Sequence, residues 1–183
     1  MANDQAPNQA SGVLRLWDIW VRLFHWSLVL AVLFQLFNGE TGNGFYDWHR
    51  LLGEIILALL IFRLLWGLVG SVPARLLPLI RSPVAAISHL KHLLQGHVPP
   101  EPGHNAAGGW AVLMLLALLL VQAGTGMVIA DEDELVEGAY YGAVAGDWTE
   151  LAYSVHHYNA GILQALVLPV SYTHLTLPTI CSV

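Results

Sequence analysis

Residues 51–70, LLGEIILALLIFRLLWGLVG, occupy 20 positions and carry only two charged side chains, Glu54 and Arg63. A hydrocarbon core of about 30 Å is crossed by roughly 20 helical residues, each of which adds about 1.5 Å. This stretch therefore predicts a membrane-spanning helix. The apolar runs at 19–37 and 108–130 predict two more spans, and a fourth apolar run starts at residue 153.

The fourth apolar run is shorter than the others. Residues 153–168 make about 24 Å of helix, and Pro169 and a polar stretch follow them. The last stretch, PVSYTHLTLPTICSV at 169–183, also resembles translated read-through of a sequencing adaptor. We therefore expect an all-α, transmembrane four-helix bundle with up-down-up-down topology and a truncated fourth helix at 153–168. The membrane domain is expected over 14–168, and a non-native tail over 169–183.

The composition excludes several classes of protein. Hydrophobic residues make up 56% of the chain, charged residues 11%, and the mean hydropathy is +0.58, whereas about a quarter of the residues in a soluble domain are charged. A net charge of -6 with seven Lys plus Arg argues against a nucleic-acid partner, which requires a basic surface. Cys181 is the only cysteine, so a disulfide framework and a cysteine-pair metal site are excluded.

Basic residues lie mainly at one end of the predicted spans, which sets the orientation. Arg15 and Arg22 flank the start of the first span. The opposite end carries the acidic run at 131–134, and Arg50 is the exception there. The positive-inside rule then predicts a cytoplasmic N-terminus. Residues 1–13 lack a basic n-region, so we expect a cytoplasmic segment rather than a signal peptide. Four more cations lie at the end of the second span or in the loop after it: Arg63, Arg75, Arg81 and Lys91.

The loop from 71 to 108 is rich in proline and separates the second and third spans. Residues 83–94 predict a short amphipathic helix at the membrane surface. A solvated histidine is the commoner case in such a loop, and we expect this for four of them: His89, His92, His97 and His104.

Histidines occur at the predicted spans, where ionisable groups are costly and usually mark function. His49 and His156 both open helices that run from the outside inwards, which places them at one depth. Neutral imidazole is a common metal ligand, and two imidazoles facing each other in a bundle can hold one haem b iron from both sides. Without a C-x-x-C-H motif, any haem must be held by ligation and packing.

The remaining histidines of the spans differ from that pair. His25 lies near the opposite face and has no evident partner on the fourth span, so it either ligates a second haem or snorkels to the interface. His157 points about 100° away from His156, and we expect it to be solvated.

Several nearby residues allow both a functional and a structural interpretation. Arg22, Arg50 and Arg63 lie near the histidine depths and could pair with haem propionates, although charge bias alone explains Arg22 and Arg63. Glu54 lies one turn after His49 and could orient a ligand, carry protons or face water. The glycines of the spans could let a porphyrin approach the backbone, although small residues also serve ordinary packing of membrane helices. Interfacial placement explains Trp17, Trp20, Trp26 and Trp48.

Taken in order, these residues resemble the bacterial cytochrome b561 and nickel-iron hydrogenase b-type cytochrome family. The resemblance covers residues 14–168. It rests on these motifs: Arg22-Leu-Phe-His25-Trp26, Trp48-His49-Arg50-Leu-Leu-Gly53, Arg63-Leu-Leu-Trp66-Gly67, Gly103-His104-Asn105, Gly108-Gly109-Trp110, Gln122 with Thr125-Gly126, and Val155-His156.

The resemblance implies a multi-pass cytochrome of the bacterial inner (plasma) membrane with two b haems. His49 and His156 would share the outer haem, and His25 would bind the inner one. The family's second histidine on the fourth span is expected where Val170 stands, so this chain is expected to hold one or two haems. His174 lies on the same face but follows Pro169, which makes it a poor substitute.

The resemblance also implies the function, which is electron transfer between a partner redox protein and the quinone pool through haem b, in a respiratory chain. The partner would be a hydrogenase, a c-type cytochrome or another dehydrogenase, which makes the chain an electron-transfer subunit rather than an enzyme alone. Two alternatives stay open: a stand-alone quinone or superoxide oxidoreductase, and a haem-free membrane anchor subunit.

Overall fold

Four long helices make up most of the fold. The computed structural model describes residues 19–41, 46–80, 82, 84, 87–88, 106–131 and 136–176. The helices are α1 (Ile19–Thr41), α2 (Tyr46–Val69), α3 (Ala106–Gly126) and α4 (Gly146–Thr176). The smaller elements are two 3-10 turns, Val72–Ala74 and Leu77–Leu79, and an antiparallel pair of two-residue strands, β1 (Ala130–Asp131) and β2 (Val136–Glu137). The predicted all-α, four-helix fold is confirmed.

Three of the helices are long and apolar enough to cross a membrane: Ile19–Asn38, Asp47–Val69 and Gly108–Gly126. Large apolar side chains such as Leu30, Phe37 and Leu68 are exposed on them. Exposed apolar side chains are what a lipid-facing surface requires, because the hydrocarbon core offers no polar partners. The chain is therefore a multi-pass membrane protein.

Neighbouring helices are antiparallel. The ring of Trp20 near the start of α1 meets Trp66 near the end of α2, with centroids 6.4 Å apart. The end of α1 lies beside the start of α2, where Gln35 donates to the backbone carbonyl of His49. Helix α2 packs on α3, and α3 on α4. The buried core between α1, α2 and α3 consists of Phe24, Leu28, Ala31, Val32, Ile56, Leu60, Leu116 and Ala123.

The chain after α2 folds back onto that helix. Nη1 of Arg63 donates to the carbonyl oxygen of Ala74 at 2.8 Å, and the backbone N–H of Leu76 donates to Gly67 at 3.1 Å. A Cβ at Gly67 would collide with the side chain of Leu76. Glycine at 67 therefore permits the close approach that lets the loop cover the end of α2.

Several predicted boundaries differ from the structure. Helix α1 extends to Thr41 rather than residue 37, and α2 begins at Tyr46 rather than residue 51. Helix α3 ends at Gly126 rather than residue 130. The apolar residues that follow leave the helix because their backbone bonds elsewhere: the carbonyl of Met127 accepts from Tyr140, and that of Ile129 accepts from Gly138. The residues of this turn are as apolar as the helix before it, so hydropathy does not reveal where the helix ends.

The fourth helix is also longer than predicted. It begins at Gly146 instead of residue 153, and it continues past Leu168 and Pro169 to Thr176. Its first turn is polar, so a search for apolar runs does not include it in the predicted span. Proline removes one backbone hydrogen bond, and helices in membrane proteins tolerate that loss when their neighbours support them. The origin of residues 169–183 stays a prediction. Residues 1–13, the loop histidines and most of the predicted surface helix at 83–94 lie outside the described residues.

Candidate haem site

The structure brings His49 and His156 together. His49 lies in the first turn of α2, and His156 lies on α4 beyond its polar start. Their ring centroids are 6.3 Å apart, with an angle of 67° between the ring planes. The equal depth that was inferred from helix direction is thus what the antiparallel packing produces.

Backbone and hydroxyl groups of α3 fix the orientation of the His156 ring. Its Nδ1 lies 3.0 Å from the carbonyl oxygen of Gln122 and 3.2 Å from Oγ1 of Thr125. A carbonyl oxygen can only accept, so Nδ1 carries the proton and donates. The Thr125 hydroxyl in turn lies 2.7 Å from the carbonyl of Val121, to which it donates. The lone pair on Nε2 of His156 is therefore available to a metal ion.

Gly126 allows the ring of His156 to approach α3. A Cβ at this position would lie 3.0 Å from Cε1 and 3.4 Å from Nδ1 of His156. By contrast, a Cβ at Gly124 would meet nothing within 4 Å. The sequence allows either porphyrin approach or ordinary packing at the glycines of this span, and at Gly126 the structure shows a specific contact with a candidate ligand.

A second polar residue of α4 reinforces the contact with α3. Asn159 is 5% exposed, and its Nδ2 donates to the carbonyl of Leu118 at 2.9 Å and to Oε1 of Gln122 at 2.7 Å. Gln122 thus accepts from His156 through its backbone and from Asn159 through its side chain. Sequence reasoning did not single out Asn159. The available signal was an amide three positions after a histidine on an apolar helix.

Gln35 was also missed. Its Nε2 donates to the backbone carbonyl of His49 at 2.8 Å, which ties α1 to the first turn of α2. The signal that could have found it is an amide side chain near the C-terminal end of an apolar span.

The structure does not bring His25 to this pair. Its exposed ring meets the ring of Trp26 edge-on at 5.6 Å. His25 precedes Gln35 by ten positions on α1, so it lies about 15 Å along the helix from the His49 level. The side chains of Val170 and His174 lie outside the described residues, although their backbone is helical.

His157 is exposed, as its position next to His156 predicted. Its ring packs on Tyr153 with centroids 4.2 Å apart, and its Nδ1 lies 2.9 Å from the Tyr153 carbonyl oxygen. These contacts hold the ring against its own helix.

The three candidate arginines lie in different environments. Arg22 is exposed on α1. Nε of Arg50 lies 3.2 Å from Oε1 of Glu54, and both side chains are about half exposed, at 51% and 40%. Arg63 is buried and bonded to Ala74. Of the three arginines, Arg50 is the one that directly follows a histidine of the pair, His49, in the chain. It is therefore the candidate cation for a haem held by the pair.

The donor set fits haem better than a protein-only metal site. The described part of the chain has no group of three or more His, Cys, Asp or Glu that could hold a metal ion, whereas haem iron takes only its axial ligands from the protein. Two imidazoles on opposite sides of a metal, each about 2 Å from it through nitrogen, have ring centres roughly 6 Å apart. The observed 6.3 Å agrees with this separation.

Comparison with known proteins identifies a family. A family model described as prokaryotic cytochrome b561 matches residues 16–170, which include all three apolar spans and the histidine pair. No curated protein and no solved structure matches the chain.

Proposed function

Since the chain belongs to the prokaryotic cytochrome b561 family, it is a membrane b-type cytochrome that transfers electrons, and we propose that it passes them between a partner redox protein and the quinone pool through haem b. The partner in this proposal is a hydrogenase, a c-type cytochrome or another dehydrogenase. The protein acts as an electron-transfer subunit of a respiratory chain in the bacterial inner membrane, with its N-terminus in the cytoplasm.

The observation that carries the proposal is the histidine pair. His49 and His156 face each other across the bundle at 6.3 Å, and the Nδ1 proton of His156 is already engaged by Gln122. An imidazole whose Nδ1–H is bonded presents Nε2 in a fixed direction, which is the arrangement that metal-ligating histidines adopt. When bound, haem b supplies a one-electron couple that neither side chain has by itself.

The surrounding residues have distinct roles in this proposal. Apolar side chains of α2 and α3 below the pair, such as Leu52 and Leu119, keep water away from it. Arg50 is placed to neutralise a propionate, and Glu54 holds its guanidinium. Such charge-assisted bonds are strong where the surroundings are partly dehydrated.

His25 is assigned to a second, inner haem, with a partner expected at position 170 of α4. The start of α1 and the end of α2 meet at Trp20 and Trp66, and this contact supports the proposal that Arg22 and Arg63 lie at the level of the inner site. Arg63 already donates to Ala74, so Arg22 is the better candidate for an inner propionate.

Reduced-minus-oxidised spectra of the purified protein test the outer site. The unaltered chain should show b-type bands, and His49→Ala and His156→Ala should each remove the same spectral component, because one iron needs both nitrogens. His157→Ala is the matched control and should keep that component. A colourless protein, or loss of different components in the two variants, would contradict the assignment.

The role as a subunit has its own test. The isolated haem-loaded protein should be reduced by a quinol once but should not turn over without an added redox partner. Sustained quinol oxidation by the isolated chain, with oxygen or superoxide as the only partner, would show a stand-alone oxidoreductase instead.

A further inference from the structure

Among the described residues, Oε1 of Gln35 is the buried side-chain oxygen or nitrogen that makes no hydrogen bond. A buried acceptor without a donor costs about 1–3 kcal/mol, and the cost is no lower inside a membrane. Such an atom in a folded protein points to a donor that the protein acquires in its working state.

The position of the Gln35 amide is fixed by its other end. Nε2 donates to the backbone carbonyl of His49 at 2.8 Å, so exchanging the amide nitrogen and oxygen would set two acceptors against each other. The amide lies over Gly53, where a Cβ would be 3.7 Å from Nε2, and the Cε of Met127 lies on the same side. Oε1 is therefore held beside the first turn of α2.

The two histidines differ in what surrounds them. For His156, the carbonyl of Gln122 accepts from Nδ1. A ligating His49 also needs an acceptor for its Nδ1–H, because metal-bound histidines almost always donate their second ring nitrogen. The amide nitrogen of Gln35 donates to the backbone carbonyl of His49, and the buried amide oxygen beside it has no donor among the described residues.

We propose that Gln35 is the positioning residue of the outer haem: its Oε1 accepts a hydrogen bond from Nδ1–H of His49 when His49 and His156 hold iron. This inference rests on the proposed function. An accepted hydrogen bond makes the imidazole a stronger donor to iron and favours the oxidised state. Gln35 therefore lowers the reduction potential of the outer haem.

The experiment compares Gln35→Met, Gln35→Glu and the control Gln164→Met in the full-length, haem-loaded protein. Methionine keeps the length of the side chain and removes both the amide nitrogen and the amide oxygen. Glutamate keeps an acceptor oxygen but removes the donor to the His49 carbonyl. Gln164 is a half-buried glutamine on α4, about 12 Å along the helix from His156. The readouts are the midpoint potential of the outer haem and the rate of haem transfer to apomyoglobin.

Gln35→Met should raise the midpoint potential and speed haem loss about 10-fold or more. Gln35→Glu should leave the potential at or below the original value, and Gln164→Met should change neither readout. Equal shifts in the same direction for Gln35→Met and Gln35→Glu, or no shift for either, would overturn the inference. If Gln35→Met does not insert, a raised potential in Gln35→Glu overturns it and an unchanged or lowered one supports it. Absence of haem from the unaltered protein would instead overturn the proposed function.

Discussion

At the scale of single residues, the candidate ligands could be predicted from the sequence, but the groups that orient their side chains could not. Histidines in apolar spans indicate a functional site, because an ionisable side chain is energetically costly in lipid. The group that orients His156 is a backbone carbonyl, that of Gln122, and every residue has one. Only the packing of α3 against α4 shows which carbonyl it is. Gly126 and Asn159 belong to the same contact, and their roles depend on it.

Gly126 tests whether the approach of the His156 ring to α3 matters. Gly126→Ala places a methyl group 3.0 Å from Cε1 of His156, so the ring must move by a few tenths of an ångström, and Gly126→Val requires a larger displacement. We expect weaker binding of the outer haem in Gly126→Ala and its loss in Gly126→Val, as measured by the b-type absorption per protein.

Gly124→Ala and Gly124→Val provide the control, since nothing lies within 4 Å of a Cβ there. They add the same atoms to the same helix and should retain the haem. Equal haem loss at both positions would show that helix α3 tolerates no side chain and that the contact with His156 is not special.

Asn159 tests the polar contact between α3 and α4. Asn159→Leu removes both donated bonds and leaves Oε1 of Gln122 without its donor. Unpaired buried groups of this kind cost about 1–3 kcal/mol. We expect the thermal unfolding temperature in detergent to fall, whereas Ser154→Leu, at an exposed position of the same helix, should have little effect. An unchanged unfolding temperature in Asn159→Leu would exclude a stabilising role.

At the scale of helices and loops, composition predicted the elements but not their ends. The central residues of a membrane span must be apolar to lie in lipid. The apolar runs of the sequence therefore predict α1, α2 and α3 near their observed positions. The start of α4 is polar, and the end of α3 is decided by backbone bonds to the segment before α4. Neither boundary changes the hydropathy, which is why both predictions were wrong.

Arg63 shows how one side chain can serve a helix end instead of a cofactor. Its bond to Ala74 holds the loop after α2 in place, and it lies 14 residues, about 21 Å of helix, from His49. We expect Arg63→Leu to increase protease cleavage within residues 71–80 and to leave the outer haem bound. Arg75→Leu, an exposed cation of the same loop, is the control. Loss of the outer haem in Arg63→Leu would contradict a purely structural role.

At the scale of the whole molecule, antiparallel packing of four helices converts distances along the chain into depths in the membrane. His49 and His156 are 107 positions apart in the sequence and meet because each lies near the start of its helix and the two helices run in the same direction. Antiparallel packing predicts this pairing from the sequence alone, because only the directions of the helices are needed. In the proposal above, position 170 of α4 belongs to the inner site, and it holds valine in this chain.

The last prediction concerns that position. Val170 follows His156 by 14 residues, which is about 1400° of rotation and about 21 Å of rise, so it shares the face of His156 at the depth of the inner site. Helix α4 continues through it to Thr176, and a histidine there would be presented from a helix.

We expect the unaltered chain to bind one haem b and Val170→His to bind a second, as measured by haem per protein and by a second step in a redox titration. His25→Ala added to Val170→His should remove only the second haem, because about 15 Å of α1 separates His25 from the outer level. Two haems in the unaltered chain would contradict the need for a histidine at position 170, and loss of both haems on replacing His25 would contradict the assignment of separate sites.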